Sequence, residues 1–364
     1  MILTWLTVYT QFMANLTEIS IGVRKTVLYL GILLIFFLIL KFIIGLAIQY
    51  YKTTHQPLPT IPNVLFGKLP KPIFIKGAVS STGMTFTLQN IEGRPPETTA
   101  SGKVYAMPKK SYTFESGEEA KKLAKSLGFE ELPIIDTVYY YYTKQSDPNL
   151  TLFVDGTNLN FQLKYNYLSD ISIFKIGRIS GLDEVINNVR SYLSSRNLFD
   201  DTILNGNVTS EILIYDDRLK KLVPASSLST TQAVRINYFR KEIDGMNVLD
   251  EEFDKSFNYV IYMPASGKPP NNISEISYIF WPIDMLNFAT YPLISAEEAY
   301  QALTGGSAFV INRGDNSNEI IIRKIYPAYY DTSAPQPYLQ PIFVFEGDNN
   351  FAAYYPAVRP EYLE

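Results

Sequence analysis

The chain has 364 residues, 46% hydrophobic and 19% charged, enough apolar mass for a packed core and too long for one ordinary domain. Its 36 acidic residues outnumber 32 basic ones, so it lacks the basic excess of a nucleic-acid binder. With no cysteine and a single histidine, His55, it cannot build disulfide scaffolds, thiolate metal sites, thiol nucleophiles or multi-histidine zinc sites.

Residues 1–26 are expected to hold an amphipathic helix. Ile2, Trp5, Leu6, Tyr9, Phe12, Met13, Leu16 and Ile19 recur at helical spacing, opposite Thr4, Thr7, Gln11, Asn15 and Glu18. Its nearly uncharged polar face suits a helix lying in a membrane interface or against a partner membrane protein. Residues 27–50 are predicted to span the bilayer. The stretch 27–48 reads VLYLGILLIFFLILKFIIGLAI, with one charge, and would cover ~33 Å as a helix. Tyr29 at one end, and Tyr50 and Tyr51 at the other, fit the interfacial aromatic belts. Lys41 inside the span either snorkels to the nearer interface or pairs with an acidic residue on a partner helix. No small-x-small cleavage site follows, which argues for a retained anchor. Residues 1–51 carry Arg24, Lys25 and Lys41 against Glu18, whereas the rest of the chain is acidic. Lys52 and Lys68 behind the span nearly balance Arg24 and Lys25 in front of it, and positive-inside bias permits the expected orientation: N-terminus cytoplasmic and large domain extracytoplasmic, as a single-pass cell-membrane protein.

Residues 51–72 contain Pro57, Pro59, Pro62, Pro70 and Pro72, which prevent a helix or sheet and predict an extended stalk of up to ~60 Å. Phe66 and Leu69 suggest that its end docks on the folded domain. Beyond it the expected organisation is α+β: antiparallel sheets, each covered by short helices, in one unit at 73–176 and a second at 177–364. Strands are predicted near 84–88, 138–142, 150–154 and 159–163 in the first unit. In the second they fall near 211–215, 233–241, 257–263, 274–283, 307–312, 319–330, 339–346 and 350–355. Helices are predicted over 116–128, 182–193 and 295–305, with Ser116 and Ser295 as N-caps in capping boxes closed by Glu119 and Glu298.

Ser116 and Ser295 each open the same Ser-x-Glu-Glu-Ala pattern, end their helix at a glycine and lead into strands. This pairing resembles the PepSY-like modules of membrane-anchored extracytoplasmic bacterial proteins, over roughly 113–164 and 292–358. The resemblance implies an internal repeat, and regulation of a sensor kinase or inhibition of a peptidase. The whole chain, with Phe66, Gly67, Lys68, Leu69 and Pro70 at the stalk end and the QPIFVFEG run at 340–347, is similar to uncharacterised single-pass bacterial envelope proteins.

Catalytic constellations are scarce. Ser172 and Lys175 match S-x-x-K, but the segment alternates with period two, which as a strand would send them to opposite faces. The acidic clusters at 250–254 and 315–319 read as solvated loops, since Ile320 stands where a calcium loop needs glycine. No cofactor, metal site or catalytic residue is expected. The surplus lies in 27 tyrosines and 22 phenylalanines. A run at Tyr139, Tyr140, Tyr141 and Tyr142 must place two rings on each face of a strand, and Tyr329–Tyr330 and Tyr354–Tyr355 one on each. The outward rings are the candidate interaction residues. The expected function is therefore a non-catalytic envelope protein that binds or regulates a partner. The alternative is recognition, or carboxylate-based hydrolysis, of a cell-wall glycan.

Overall fold

A computed structural model describes residues 21, 23–45, 61–74, 79–175, 179, 181–264, 272–315 and 317–364. The expected amphipathic helix at 1–20, Tyr50, Tyr51, His55 and the stalk as far as residue 60 lie outside these. The chain divides into two compact units, Met1–Thr60 and Ile61–Glu364.

In the first unit, helix α1 (Val23–Gly45) has a mean hydropathy of 2.9 and is long and apolar enough to cross a membrane. It begins four residues earlier than the hydrophobic run predicts, and it carries Lys41 near its end.

The second unit opens with three strands: β1 (Val79–Ser80), β2 (Thr85–Leu88) and β3 (Ser101–Ala106). Helix α2 (Ser116–Ser126) leads into a meander of β4 (Ile134–Asp136), β5 (Tyr139–Thr143), β6 (Leu150–Asp155) and β7 (Phe161–Tyr165). Helices α3 (Leu182–Ser195) and α4 (Asp201–Leu204) precede β8 (Val208–Asp216), β9 (Lys221–Pro224) and β10 (Ala233–Tyr238). There follow β11 (Val248–Leu249), β12 (Tyr259–Tyr262), β13 (Ile273–Tyr278) and β14 (Asp284–Pro292). Helix α5 (Ala296–Thr304) then introduces β15 (Phe309–Asn312), β16 (Glu319–Tyr330), β17 (Tyr338–Gly347) and β18 (Ala352–Pro356).

The fold is α+β, with two nine-stranded sheets that are antiparallel except where β2 and β11 run parallel to β16. The first sheet has the order β4-β5-β6-β7-β13-β12-β10-β8-β9. The second contains the run β1-β15-β18-β17-β16-β11, with β2 on β16 and with β3 joining β14 to β17. Strands from both sides of residue 176 enter each sheet, so the expected division there does not separate them. The pairings β7·β13 and β3·β14 cross it, and each covers an edge that a local unit would have left open.

A row of apolar side chains crosses the first sheet from Tyr142 through Leu152, Leu163, Ile276 and Val260 to Ile236. All are buried, and α2 (Ala120, Ala124) and α3 (Val185, Val189, Leu193) pack on this same face. Each such side chain contributes about 1.5–3 kcal/mol by leaving water. Two helix-plus-four-strand runs thus meet at β7·β13: α2 with β4 to β7, and α3 with β8, β10, β12 and β13. This is a different internal similarity from the one expected between 113–164 and 292–358. The strands after α2 lie in chain order, whereas those after α5 lie in the order β15-β18-β17-β16.

Local expectations hold unevenly. Ser295 caps α5 in a full capping box with Glu298. Ser116 instead forms the first turn of α2 behind Glu115, and its Oγ accepts from the Thr113 N–H at 3.0 Å. The strand expected at 274–283 ends at Tyr278 as β13, four residues before Pro282, which has no N–H to donate, and β14 starts beyond it at Asp284. Segment Ile171–Lys175 is a 3₁₀ helix rather than a strand, and the exposed Ser172 hydroxyl donates to Asp170. The stalk end docks as expected: Leu69 is fully buried, bridges to Leu363 and donates to the Tyr362 carbonyl at 2.8 Å. Phe66 stacks on Tyr338, with ring centroids 4.8 Å apart.

Candidate functional site: an open sheet face and the cleft beside it

The β5 tyrosines alternate as the pleat requires. Tyr140 and Tyr142 point into the core, whereas Tyr139 and Tyr141 are 41% and 44% exposed. Tyr140 and Tyr112 share a hydroxyl–hydroxyl hydrogen bond of 2.6 Å, which together with burial pushes the Tyr140 phenol up to about 12. Outside, Phe153 of β6 lies between the two exposed rings, 5.7 Å from Tyr139 and 5.3 Å from Tyr141. Ile134 on the edge strand β4 stands opposite Tyr141 and is 75% exposed, which extends the apolar strip.

The other tyrosine pairs do not supply outward rings. Tyr329, Tyr330 and Tyr354 are buried, and Tyr355 is half-buried against the core beneath α5. The reason is that β16 and β18 carry packed clusters on both faces, with Tyr329 in one cluster and Tyr330 and Tyr354 in another. Their hydroxyls find interior acceptors: Tyr329 donates to the Lys103 carbonyl, Tyr330 to the Ile73 carbonyl and Tyr354 to the Asp250 carbonyl.

Beyond the aromatic strip, the uncovered face of the first sheet is polar. Gln162 Nε2 and the Tyr259 hydroxyl both donate to Glu275 Oε1, at 3.2 and 2.6 Å. The Arg235 guanidinium lies 3.6 Å from the Tyr259 ring centroid. The same face ends at a cleft of about 1050 Å³ in which Thr209, Glu211 and Asn237 of β8 and β10 stand among the lining residues with Leu249, Phe253, Tyr326 and Glu346. At Gly206, one of the lining residues, the backbone approaches Phe239 so closely that a Cβ would lie 1.9 Å from its carbonyl oxygen. Lys255 bridges to Glu211 at 3.7 Å, and Tyr326 donates to Glu346.

Among the described residues, strand β8 borders this cleft with an edge that is only partly paired. Strand β9 pairs only with Leu213–Asp216, and the Ala225 N–H donates to the Ile212 carbonyl. The Phe239 N–H donates to the Asn207 carbonyl, so residues 207, 209 and 211 address β10. By alternation the backbone groups of Val208 and Ser210 point the other way, away from β10, and Ser210 is among the residues that line the cleft.

Behind the cleft lies a buried polar cluster. Arg240 pairs with Asp331 at 2.9 Å, donates to the Trp281 carbonyl and lies over the Phe280 ring. Asp250 is buried, contrary to the solvated loop expected at 250–254. Burial, then the neighbouring Asp331, drives its carboxyl well above the usual range. Among the described residues no group of three or more His, Cys, Asp or Glu comes together as a metal site would require. A smaller recess of about 310 Å³ adjoins Tyr139 and Trp281. The sequence carries no local signal for the cleft, because its walls come from six separate stretches, 205–212, 224–225, 237–242, 247–255, 326 and 346.

No protein-family model matches the chain, and no curated protein matches it. Among solved structures it is similar to an uncharacterized protein from Eubacterium rectale ATCC 33656, at 12% identity and a TM-score of 0.38. The match covers 75% of this chain and 89% of that one. A likeness at that level carries no functional argument.

Proposed function

We propose that this protein is a membrane-anchored, non-catalytic binding module of a bacterial cell envelope, held by α1 with its N-terminus inside and its sheets outside the cytoplasm. The observation that carries the reading is a sheet packed by helices on one face only. Its other face presents Tyr139, Tyr141 and Phe153 at one end and opens on a cleft at the other. Exposed rings that combine apolar area with a hydroxyl are what partner surfaces use. The PepSY-like resemblance over 113–164 fits the same role, regulation of a neighbouring envelope protein. Purification of the intact chain in mild detergent tests it: a stoichiometric partner, lost when Tyr139 and Tyr141 are both changed to serine, is the expected result. Repeated recovery of the chain alone contradicts it. Orientation is read by Glu97→Cys, a position with a 92% exposed side chain in a chain without cysteine. Labelling of intact cells by a membrane-impermeant thiol reagent is expected, and labelling only after lysis reverses the orientation.

A second reading, recognition of a cell-wall glycan, is favoured by the cleft walls, where Phe253 and Tyr326 stand with Glu211, Asp254 and Glu346. Calorimetry of the intact protein against cell-wall fragments tests it, with no heat at millimolar ligand counting against it.

A further inference from the structure

The open edge of β8 has the chemistry of a receptor for one extended polypeptide strand. Exposed sheet edges are normally blunted by lysine, proline, a bulge or a covering element. The outer strand β9 carries such devices, with Lys221 at its start and Pro224 at its end. It stops at the level of Leu213, and the stretch before that, Val208, Thr209, Ser210 and Glu211, contains neither lysine nor proline; its one charge, Glu211, is on a residue that addresses β10 and is bridged by Lys255. Of this stretch, Thr209, Ser210 and Glu211 line the larger of the two recesses described above, and Val208 stands next to it.

The geometry of the recess selects its occupant. Val208 and Ser210 present backbone N–H and C=O groups two residues apart, about 7 Å along the strand. That repeat is matched by the backbone of another β-strand. Across the cleft, Leu249 and Phe253 are half-buried and offer apolar contact to alternate side chains of such a strand. We infer that the β8 edge binds an extended segment of a partner protein by strand addition, with apolar residues at every second position facing Leu249 and Phe253. This inference rests on the partner-binding reading above and adds to the Tyr139–Tyr141 surface a second contact at the other end of the same sheet.

The test uses the full-length chain in lipid nanodiscs and short random peptides selected for binding to it. Selected peptides are expected to slow amide exchange at Val208 and Ser210 by at least about tenfold. N-methylation of the peptide at alternate residues, those whose N–H faces β8, should weaken binding by at least about tenfold, while the intervening positions tolerate it. Ser210→Pro removes the edge donor and should abolish binding. Asn247→Trp fills the cleft from the opposite wall and should do the same with β8 unaltered. Peptides that bind without protecting Val208 and Ser210, or that tolerate N-methylation everywhere, overturn the inference. So does failure to select any peptide, or a cell-wall oligosaccharide that protects the same two amides. A stoichiometric partner whose binding leaves those amides unprotected and depends on Tyr139 and Tyr141 overturns strand addition while leaving the partner-binding reading intact. Absence of any partner removes that reading instead.

Discussion

Arg240 Nε donates to Asp331 Oδ2 across 2.9 Å, with the two side chains only 4% and 2% exposed. Arg240 follows β10 of the first sheet and Asp331 follows β16 of the second, so one buried ion pair ties the two sheets across 91 residues of chain. The guanidinium is further held by the Trp281 carbonyl. Removing one partner leaves the other charge buried without compensation, so Asp331→Ala should lower unfolding stability by about 3–5 kcal/mol. Replacing both, as Arg240→Met with Asp331→Leu, should cost less than either single change. Urea unfolding of the detergent-solubilised chain measures both.

Asp250 gives that junction a pH dependence. Its buried carboxyl is held in the neutral form by burial first and the Asp331 charge second, against the Phe257 N–H, Ser256 and Arg240. Below about pH 4 the group is protonated in both folded and unfolded chains and costs nothing. Above the unfolded value of 3.8, the unfolded chain ionises and the folded one does not. This group therefore lowers stability as pH rises, by about 1.4 kcal/mol per pH unit, until the folded carboxyl also ionises. Asp250→Asn should remove this slope and stabilise the protein at neutral pH. Unfolding midpoints of both proteins at several pH values above 4 provide the check, and parallel curves would contradict the assignment.

Adjacent tyrosines in β5 should behave in opposite ways. Tyr142 is 2% exposed within the core beneath α2, and Tyr142→Ala should cost about 3–5 kcal/mol through lost contacts and a cavity. Tyr141 is 44% exposed, and Tyr141→Ser should change stability by no more than about 0.5 kcal/mol. Thermal unfolding of the two variants separates a packing ring from a presented one.

Ser295 accepts from the Glu298 N–H at 3.1 Å while the Glu298 carboxylate accepts from the Ser295 N–H at 2.7 Å. The Ser295→Ala change should destabilise the protein by about 1 kcal/mol, and the effects of Ser295→Ala and Glu298→Ala should be less than additive because they break one reciprocal unit. A double-mutant cycle from chemical denaturation reads this coupling.

Much of the local architecture is legible in the chain itself, and for local reasons. The hydrophobic run behind α1, the capping box at Ser295 and the period-two alternation at Tyr139 to Tyr142 each involve groups within a few residues of one another. Their geometry follows from helix rise, cap hydrogen bonding and strand pleat without reference to the rest of the fold. The same holds for β16, whose predicted limits at 319–330 coincide with the observed strand.

Strands β3, β9, β11 and β14 escape a sequence reading because partners fix them. The run SGKVYA of β3 becomes a strand by lying between β14 and β17, both more than 170 residues away. Burial of Tyr329, Tyr330 and Tyr354 is likewise a tertiary decision. Alternation says that neighbouring rings point to opposite faces, but only the clusters packed on both faces of β16 and β18 determine that neither face meets water. Local pattern alone specifies an apolar helix long enough to cross a membrane, an α+β chain and a strand with two tyrosines on each face. Which faces stay open is set by long-range packing: the cleft walls and the Arg240–Asp331 junction are made by segments that meet only when the two sheets pack, and the β8 edge is left by a β9 that ends at the level of Leu213, short of the start of β8.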